Sequence, residues 1–474
     1  MNKSDSERVS TVIEDMGYRW TDKEDDADLL GVIACSVRQK AIDKVYTKIH
    51  KWNNWKNSRN LVTFVSGCIL PADREKFLKL FDMIFQISEL VQFPEILRQY
   101  GVVTPFSLKS ETQKSGNVVV EKPSSVDFRT VVLDHGRKAV VGRPVKMKQP
   151  ESRISTFWHI EPQYKSGFEA FIPIQNGCDK FCAFCAVPYT RGREISRPSE
   201  EILDELKRLV ESGYKSITLL GQNVNSYGLD KHGNEITFAE LLEKIGEYGI
   251  ISQRDFWVYF TSPHPRDMKD DVIETIAKYK CLAEQIHLPL QSGDDKVLIK
   301  MNRNHKLKDF RRTIDSIRVK LPQATLFTDI IVGFTGETEE QFQNTVKAME
   351  SIRFNMAYIA RYSPRPGAAS SRWEDDISHK IKKERLHTLS TLLQQHSFEL
   401  NSQMIGKEYK VLVTGCDRKG GFLSGLTEGK IIVRFASKDI SLIGKFVDIN
   451  ITSAADFAIE GDLIKVYQEE FEEA

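Results

Sequence analysis

No segment of this sequence is long and apolar enough to cross a bilayer. The longest apolar stretches, such as residues 326–334, are strand-length, where a spanning helix needs about 20 apolar residues. Residues 1–8 are polar and hold no apolar core of a secretory signal, so no targeting segment is expected. An excess of charge is lacking too. Lys+Arg total 67 against 66 Asp+Glu, which excludes a strongly basic body that binds nucleic acid by field alone and leaves local patches open. Cysteine is scarce, at seven in 474 residues. An odd, unevenly placed set without a secretory signal points to metal binding or catalysis rather than to disulfides. A cytoplasmic protein with no membrane segment is expected. With 41% hydrophobic and 28% charged residues, the chain reads as soluble and globular, with several cores.

What is present alternates between strand and helix. Residues 1–97 open on an amphipathic helix, with Val9, Val12, Ile13 and Met16 at helical spacing. Strands are predicted at 29–34 and 61–65 and helices at 36–52 and 73–85, a small α/β domain with a parallel sheet. Cys35 and Cys68 each fall just past a strand's carboxyl end, where open α/β sheets place ligands. Residues 98–163 read as an irregular connecting segment. They hold a polar stretch at 107–125 and a basic stretch at 135–148, taken as a linker. Residues 164–400 carry six candidate strands, at 170–174, 216–220, 256–261, 285–289, 325–333 and 357–362. Helices follow nearly all of them, and Thr338 with Gln341 forms a capping-box signature. Six units fall short of an eight-unit barrel, so an open (β/α)6 partial barrel is predicted, with its ligand site at the carboxyl ends of the strands. Residues 381–404 form a connecting helix. Residues 404–468, with strands at 430–435, 446–451 and 463–467, predict a small all-β barrel. The fold class is therefore α/β, with an all-β module at the end.

Three of the seven cysteines sit within eight residues. Cys178, Cys182 and Cys185 form a C-x3-C-x2-C loop after the first strand of the partial barrel. Thiolates are the usual ligands of iron–sulfur clusters. Three of them on a 4Fe-4S cluster leave one iron open to a small molecule with an amine and a carboxylate, which S-adenosylmethionine supplies. Structural zinc wants four ligands, and no His or Cys follows at zinc-finger spacing.

The loop resembles the signature of the radical S-adenosylmethionine superfamily. Its flanks, residues 174–178 and 187–198, together with 221–228 and 261–265, resemble the methylthiotransferases, and within them the tRNA branch. Further matching stretches are 288–293, 301–303, 333–338 and 362–367, so that the resemblance spans nearly the whole chain except about 98–153. It implies an N-terminal methylthiotransferase domain, a radical S-adenosylmethionine core and an RNA-binding TRAM barrel. It further implies methylthiolation of C2 of N6-(dimethylallyl)adenosine at position 37 of tRNA, next to the anticodon. In that scheme a 5′-deoxyadenosyl radical takes the C2 hydrogen, sulfur is inserted, and a second S-adenosylmethionine supplies the methyl group. The implied cofactors are two 4Fe-4S clusters and S-adenosylmethionine. The implied partners are tRNA and a reductant protein such as flavodoxin or ferredoxin; a monomer is expected.

Residue by residue, the resemblance makes Cys178, Cys182 and Cys185 the ligands of the radical-generating cluster. Cys35 and Cys68 match two positions of an auxiliary, sulfur-delivering cluster. The third auxiliary cysteine would lie in a stretch that this sequence enters only at Met1-Asn2, so a truncated or mis-assigned start is expected, with a strand and a cysteine upstream. Gln222, Asn223, Asn225 and Arg303 are candidate S-adenosylmethionine contacts. Arg191, Arg193 and Arg197 are read either as phosphate or cofactor contacts or as ordinary surface salt bridges, and His264 as a site or a structural residue. Cys281 and Cys416 are expected to be small buried hydrophobes, and Phe422 and Phe435 core residues rather than base-stacking ones. Alternatives to the main reading are methylthiolation of threonylcarbamoyl-adenosine in tRNA or of a ribosomal protein, and a non-catalytic iron–sulfur RNA-binding protein.

Overall fold

Leu29–Cys35 and Val62–Cys68 are short runs rich in β-branched and aliphatic side chains, and they pair as parallel strands β1 and β2, in register from Leu29 opposite Val62 to Cys35 opposite Cys68. The computed structural model describes residues 1–35, 39–98, 129–132, 138–141 and 151–467. Residues 36–38, the polar stretch 107–125 and, apart from 138–141, the basic stretch 135–148 lie outside them.

Two compact units emerge, each discontinuous in sequence. The first comprises residues 1–165, 175–197 and 365–372, and the second 166–174, 198–364 and 373–474. In the first, the sheet continues from β2 to β3 (Met83–Ile84), and from there to β5 (Lys138–Val141) and β4 (Arg129–Val132), in the order β1-β2-β3-β5-β4. This differs from expectation twice. The predicted helix at 73–85 ends at Leu78, and Met83–Ile84 is a strand. Residues 81–85 read Phe-Asp-Met-Ile-Phe, a run too short for its period to tell helix from strand. Asp82 settles it: its carboxylate accepts from Thr63 N at 2.8 Å and from Thr63 Oγ1 at 2.9 Å, which docks the run beside β2. Second, the segment expected to be irregular supplies two strands and the helix Glu151–Trp158. That helix buries Ile154, Phe157 and Trp158 in a core shared with Val9, Met16, Phe64 and Phe93.

The second unit carries the six strands of the predicted partial barrel. They are β6 (Glu169–Pro173), β9 (Ser216–Leu220), β10 (Trp257–Phe260), β11 (Gln285–His287), β12 (Thr325–Val332) and β13 (Met356–Arg361), all parallel. Two three-stranded ladders, β10-β9-β6 and β11-β12-β13, meet through a parallel bridge from Val258 to Leu282. The intervening pair β7 (Gln175–Asn176) and β8 (Ile195–Ser196) belongs to the first unit. The helix Glu339–Ile352 opens on the expected capping box, with Thr338 Oγ1 accepting from Gln341 N at 3.2 Å and Gln341 Oε1 from Thr338 N at 2.9 Å.

After the connecting helix His379–Ser402, five strands close a barrel in the order β14-β15-β16-β18-β17: β14 (Glu408–Cys416), β15 (Phe422–Thr427), β16 (Ile432–Ala436), β17 (Phe446–Ala454) and β18 (Ala458–Val466). Strand β15 was not anticipated. Its Gly425 reads as turn punctuation, yet it sits inside the strand because the carbonyl of Leu412 approaches so closely that a Cβ would lie 2.5 Å from it. The β15–β16 turn reaches the amino ends of the partial-barrel strands. Thr325 Oγ1 donates to Gly429 O at 2.7 Å, Glu284 N donates to Glu428 Oε1 at 3.1 Å, and Lys430 Nζ lies 4.0 Å from the centre of the Tyr259 ring. The turn thus floors that mouth of the barrel. A Cβ on Gly429 would come 2.5 Å from the Thr325 methyl. We therefore expect Gly429→Val to destabilise the second unit by about 1–3 kcal/mol through overpacking. The check is a urea titration together with hydrogen exchange, which should rise at the amides of Tyr259 and Thr325.

Candidate metal centre and strand-end loops

The three-cysteine loop is closed at its base by β7 and β8, where Gln175 faces Ser196 and Asn176 faces Ile195. Gly177 then takes φ +80°, and a Cβ there would lie 2.0 Å from Arg193 O, so only glycine lets the two arms meet. Cys178 N donates to Gly192 O at 3.3 Å. Within the loop Cys185 N donates to Cys182 O at 2.9 Å, and Val187 N reaches Cys185 Sγ at 3.5 Å. Asp179 clamps the rim, accepting from Arg193 Nε at 2.6 Å, from Arg193 Nη2 at 2.9 Å and from Glu194 N at 3.1 Å. Burial pushes the Cys178 thiol up to about 12, and the neighbouring Cys185, Glu194 and Cys182 add to it. Among the described residues no three His, Cys, Asp or Glu side chains converge on a single-ion site. A 4Fe-4S cluster takes each thiolate on a different iron. Three thiols on one loop pinned at both ends fit the cluster.

Cys35 and Cys68 face one another at the carboxyl ends of β1 and β2. Arg191, at the end of the short helix Val187–Arg191, donates from Nε to Cys68 Sγ at 3.0 Å. Its Nη2 pairs with Asp5 and reaches Asn2 Oδ1 at 3.1 Å, and Nη1 reaches Asn176 Oδ1 at 3.3 Å. Arg191 is 4% and Asp5 0% exposed. Burial opposes the charge, yet Asp5 and Cys68 outweigh it and hold the guanidinium's pKa above its ordinary value. Asn2 in turn donates to Ala34 O at 2.9 Å, the residue before Cys35. Arg191 is therefore a buried ion-pair centre and not a surface salt bridge. Arg193 is a partly exposed ion pair, and Arg197 is buried.

The strand-end residues of the second unit hold their own loops in place. Asn225 bonds the backbone of His264 on both sides, donating to its O at 3.0 Å and accepting from its N at 2.8 Å. Asn223 Nδ2 donates to Ser226 Oγ at 2.7 Å and to Asp267 Oδ2 at 3.1 Å. Arg303 Nη2 donates to Pro289 O at 3.0 Å. Gln222 is half-buried beside them in sequence. His264 Nδ1 accepts from Arg266 N at 3.2 Å, which caps the turn Pro265–Asp267. Asn223, Asn225, His264 and Arg303 thus brace the loops after β9, β10 and β11. Cys281 is partly buried and its thiol is pushed up to about 11 by burial. Cys416, expected to be buried, is exposed as the last residue of β14. Phe435 is a core residue, and Phe422 is half-buried under Lys419, whose Nζ lies 3.9 Å from its ring centre. His287, Asp329 and Tyr358 were not singled out from the sequence. A lone aspartate in the apolar run of β12 was the available signal.

Three family descriptions match the chain: "Radical SAM superfamily" over residues 172–349, "Uncharacterized protein family UPF0004" over 1–87 and "TRAM domain" over 402–464. A tRNA-2-methylthio-N(6)-dimethylallyladenosine synthase of Geobacter sulfurreducens is 36% identical over 468 residues, covering 98% of this chain and 95% of the relative. The chain belongs to this synthase family. Synthases of the same name from Actinobacillus pleuropneumoniae and Acetivibrio thermocellus are each 34% identical, covering 99% and 98% of this chain and 91% and 89% of their own. Membership of the radical S-adenosylmethionine superfamily brings with it a 4Fe-4S cluster and S-adenosylmethionine. No helix among the described residues is long and apolar enough to cross a membrane.

Removing the Arg191 charge alone leaves the Asp5 carboxylate buried without its cation. Arg191→Met is expected to lower the stability of the first unit by about 3–5 kcal/mol, while the double variant Asp5→Leu/Arg191→Met recovers most of it. A urea double-mutant cycle measures the difference.

Proposed function

We propose that this chain methylthiolates C2 of N6-(dimethylallyl)adenosine at position 37 of tRNA, giving 2-methylthio-N6-(dimethylallyl)adenosine. The observation that carries the reading is identity of 34–36% over nearly the full length of synthases of that name, joined to an intact three-cysteine loop. In this reading Cys178, Cys182 and Cys185 hold the radical-generating 4Fe-4S cluster, and Cys35 and Cys68 contribute two ligands to an auxiliary one. When bound, the first cluster supplies the electron that cleaves S-adenosylmethionine and so begins hydrogen removal at C2.

The protein's part is placement. Gly177 and Asp179 set the rim of the cysteine loop. Arg191 fixes the position of the Cys68 sulfur against Asp5 and Asn2. Gln222, Asn223, Asn225 and Arg303 line or brace the strand-end loops that would receive S-adenosylmethionine, with Asn225 holding His264 and Arg303 holding Pro289. The small barrel offers Lys419 over Phe422 as a cationic, aromatic surface suited to RNA. A flavodoxin- or ferredoxin-type protein supplies electrons, the chain acts as a monomer, and the compartment is the cytoplasm.

Two measurements test this. In the anaerobically reconstituted protein, Cys182→Ala should form no 5′-deoxyadenosine from S-adenosylmethionine under reduction. In a deletion strain, tRNA nucleosides should retain N6-(dimethylallyl)adenosine and lose its methylthio derivative. Persistence of the methylthio group would remove the tRNA assignment and return the threonylcarbamoyl and ribosomal-protein substrates to consideration.

A further inference from the structure

One face of the β11-β12-β13 ladder carries a polar pair. Along β12 the residues Leu326, Thr328, Ile330 and Val332 are buried, with Thr328, Ile330 and Val332 fully covered, and Thr328 Oγ1 donates to Leu288 O at 2.8 Å. By the two-residue period of a strand, Phe327, Asp329 and Ile331 take the opposite face, and Asp329 and Ile331 remain half-buried. On that face His287 Nε2 lies 2.9 Å from Asp329 Oδ2. The His287 ring is 6.5 Å from Phe327 and 5.5 Å from Tyr358, centre to centre, with Tyr358 beside Asp329 on the neighbouring strand. The side chains of His287 and Asp329 are 22% and 32% exposed, and Tyr358 is 46% exposed. A histidine, a carboxylate and two aromatic rings thus meet on three adjacent strands, above a mouth floored by the β15–β16 turn.

The chemistry on offer is specific. The imidazole holds one carboxylate oxygen of Asp329, and the other has no hydrogen-bond partner among the described residues. His287 Nδ1 likewise carries no bond there. An open carboxylate oxygen accepts one N–H, the imidazole nitrogen offers a second polar contact, and Tyr358 presents a face on which a flat ring stacks. An N6-alkylated adenine has one N–H at N6, acceptor nitrogens around its ring, and two faces to stack. We propose that Asp329, His287 and Tyr358 form the subsite that binds the adenine of the substrate nucleotide, with Asp329 accepting from its N6–H and Tyr358 stacking on the ring. The inference rests on the tRNA reading above. It names the residues that give that reading its preference for an adenine with a single N6 substituent.

The test uses the anaerobically reconstituted full-length protein and an anticodon stem-loop bearing N6-(dimethylallyl)adenosine. Its partner probe is the same stem-loop with a methyl group added at N6, which removes the N–H. In the wild type that methyl group should lower methylthio formation roughly 10- to 100-fold, the cost of a lost hydrogen bond to a charged group. Asp329→Leu should lose a similar factor on the first substrate and no longer distinguish the two, and Tyr358→Leu should raise KM for both. Cleavage of S-adenosylmethionine without RNA should stay within about twofold of wild type in both variants, which reports an intact fold and cofactor site. If the variants lose that cleavage or raise KM for S-adenosylmethionine, the adenine held is the cofactor's, and the assignment is overturned. If the variants match wild type on both stem-loops, the subsite is wrong while the tRNA reading stands. If the wild type cleaves S-adenosylmethionine yet leaves no methylthio group on the stem-loop, both fall together.

Discussion

The guanidinium of Arg191 is buried, and much of the first unit is arranged to satisfy it. Asp5 supplies the counter-charge, and Cys68, Asn2 and Asn176 take the remaining donors. A buried cation tolerates no loose partner, because each unmade bond leaves its full desolvation cost in place. The N-terminal helix, the carboxyl end of β2 and the hairpin under the three-cysteine loop are therefore fixed by one side chain. The loop that carries Cys178, Cys182 and Cys185 and the strand ends that carry Cys35 and Cys68 share a single electrostatic anchor, which places their sulfurs reproducibly within that unit.

The second unit braces its strand-end loops with side chains that bond backbone and neighbouring groups. Asn225 and Asn223 bind backbone and neighbouring side chains, and Arg303 binds a carbonyl. Neutral amides at strand ends satisfy the backbone groups that a loop leaves open. The loops after β9, β10 and β11 are then ordered before anything binds, which lowers the ordering cost of binding. The capping residue His264 belongs to the same set. Its Nδ1 is occupied by the turn it starts, and its ring meets His305 edge to face at 5.8 Å. Burial and the adjacent Arg303 push His305 down to about 4, so it stays neutral beside that guanidinium.

Legibility in the sequence followed the strength of the period. The six strands of the partial barrel stand within a residue or two of their expected bounds, because each is a β-rich run followed by an amphipathic helix. The cysteine loop was legible because its spacing is a covalent fact that folding cannot alter. What failed were short elements whose meaning is tertiary. Met83–Ile84 is two residues long, and β15 carries Ser424 and Gly425 where a pattern would ask for alternation. Gly425 is glycine because another strand's carbonyl approaches it, a reason invisible along the chain. Arg191 failed for a related cause. Its partners Asp5 and Cys68 are 186 and 123 residues away in sequence, so an arginine beside a metal loop reads as a surface or ligand group until they are placed.

The floor of the partial barrel bears on what its interior can hold. Burial drives Lys430 down to about 8 and pushes Glu428 and Glu284 up from their ordinary values. Tyr259 itself is raised by burial and remains an un-ionised phenol. An opposed cation deeper in the barrel would compete with a neutral base for the Asp329 carboxylate. With Lys430 turned onto the Tyr259 ring instead, the open oxygen of Asp329 is left to a neutral donor, the role an N6–H fills.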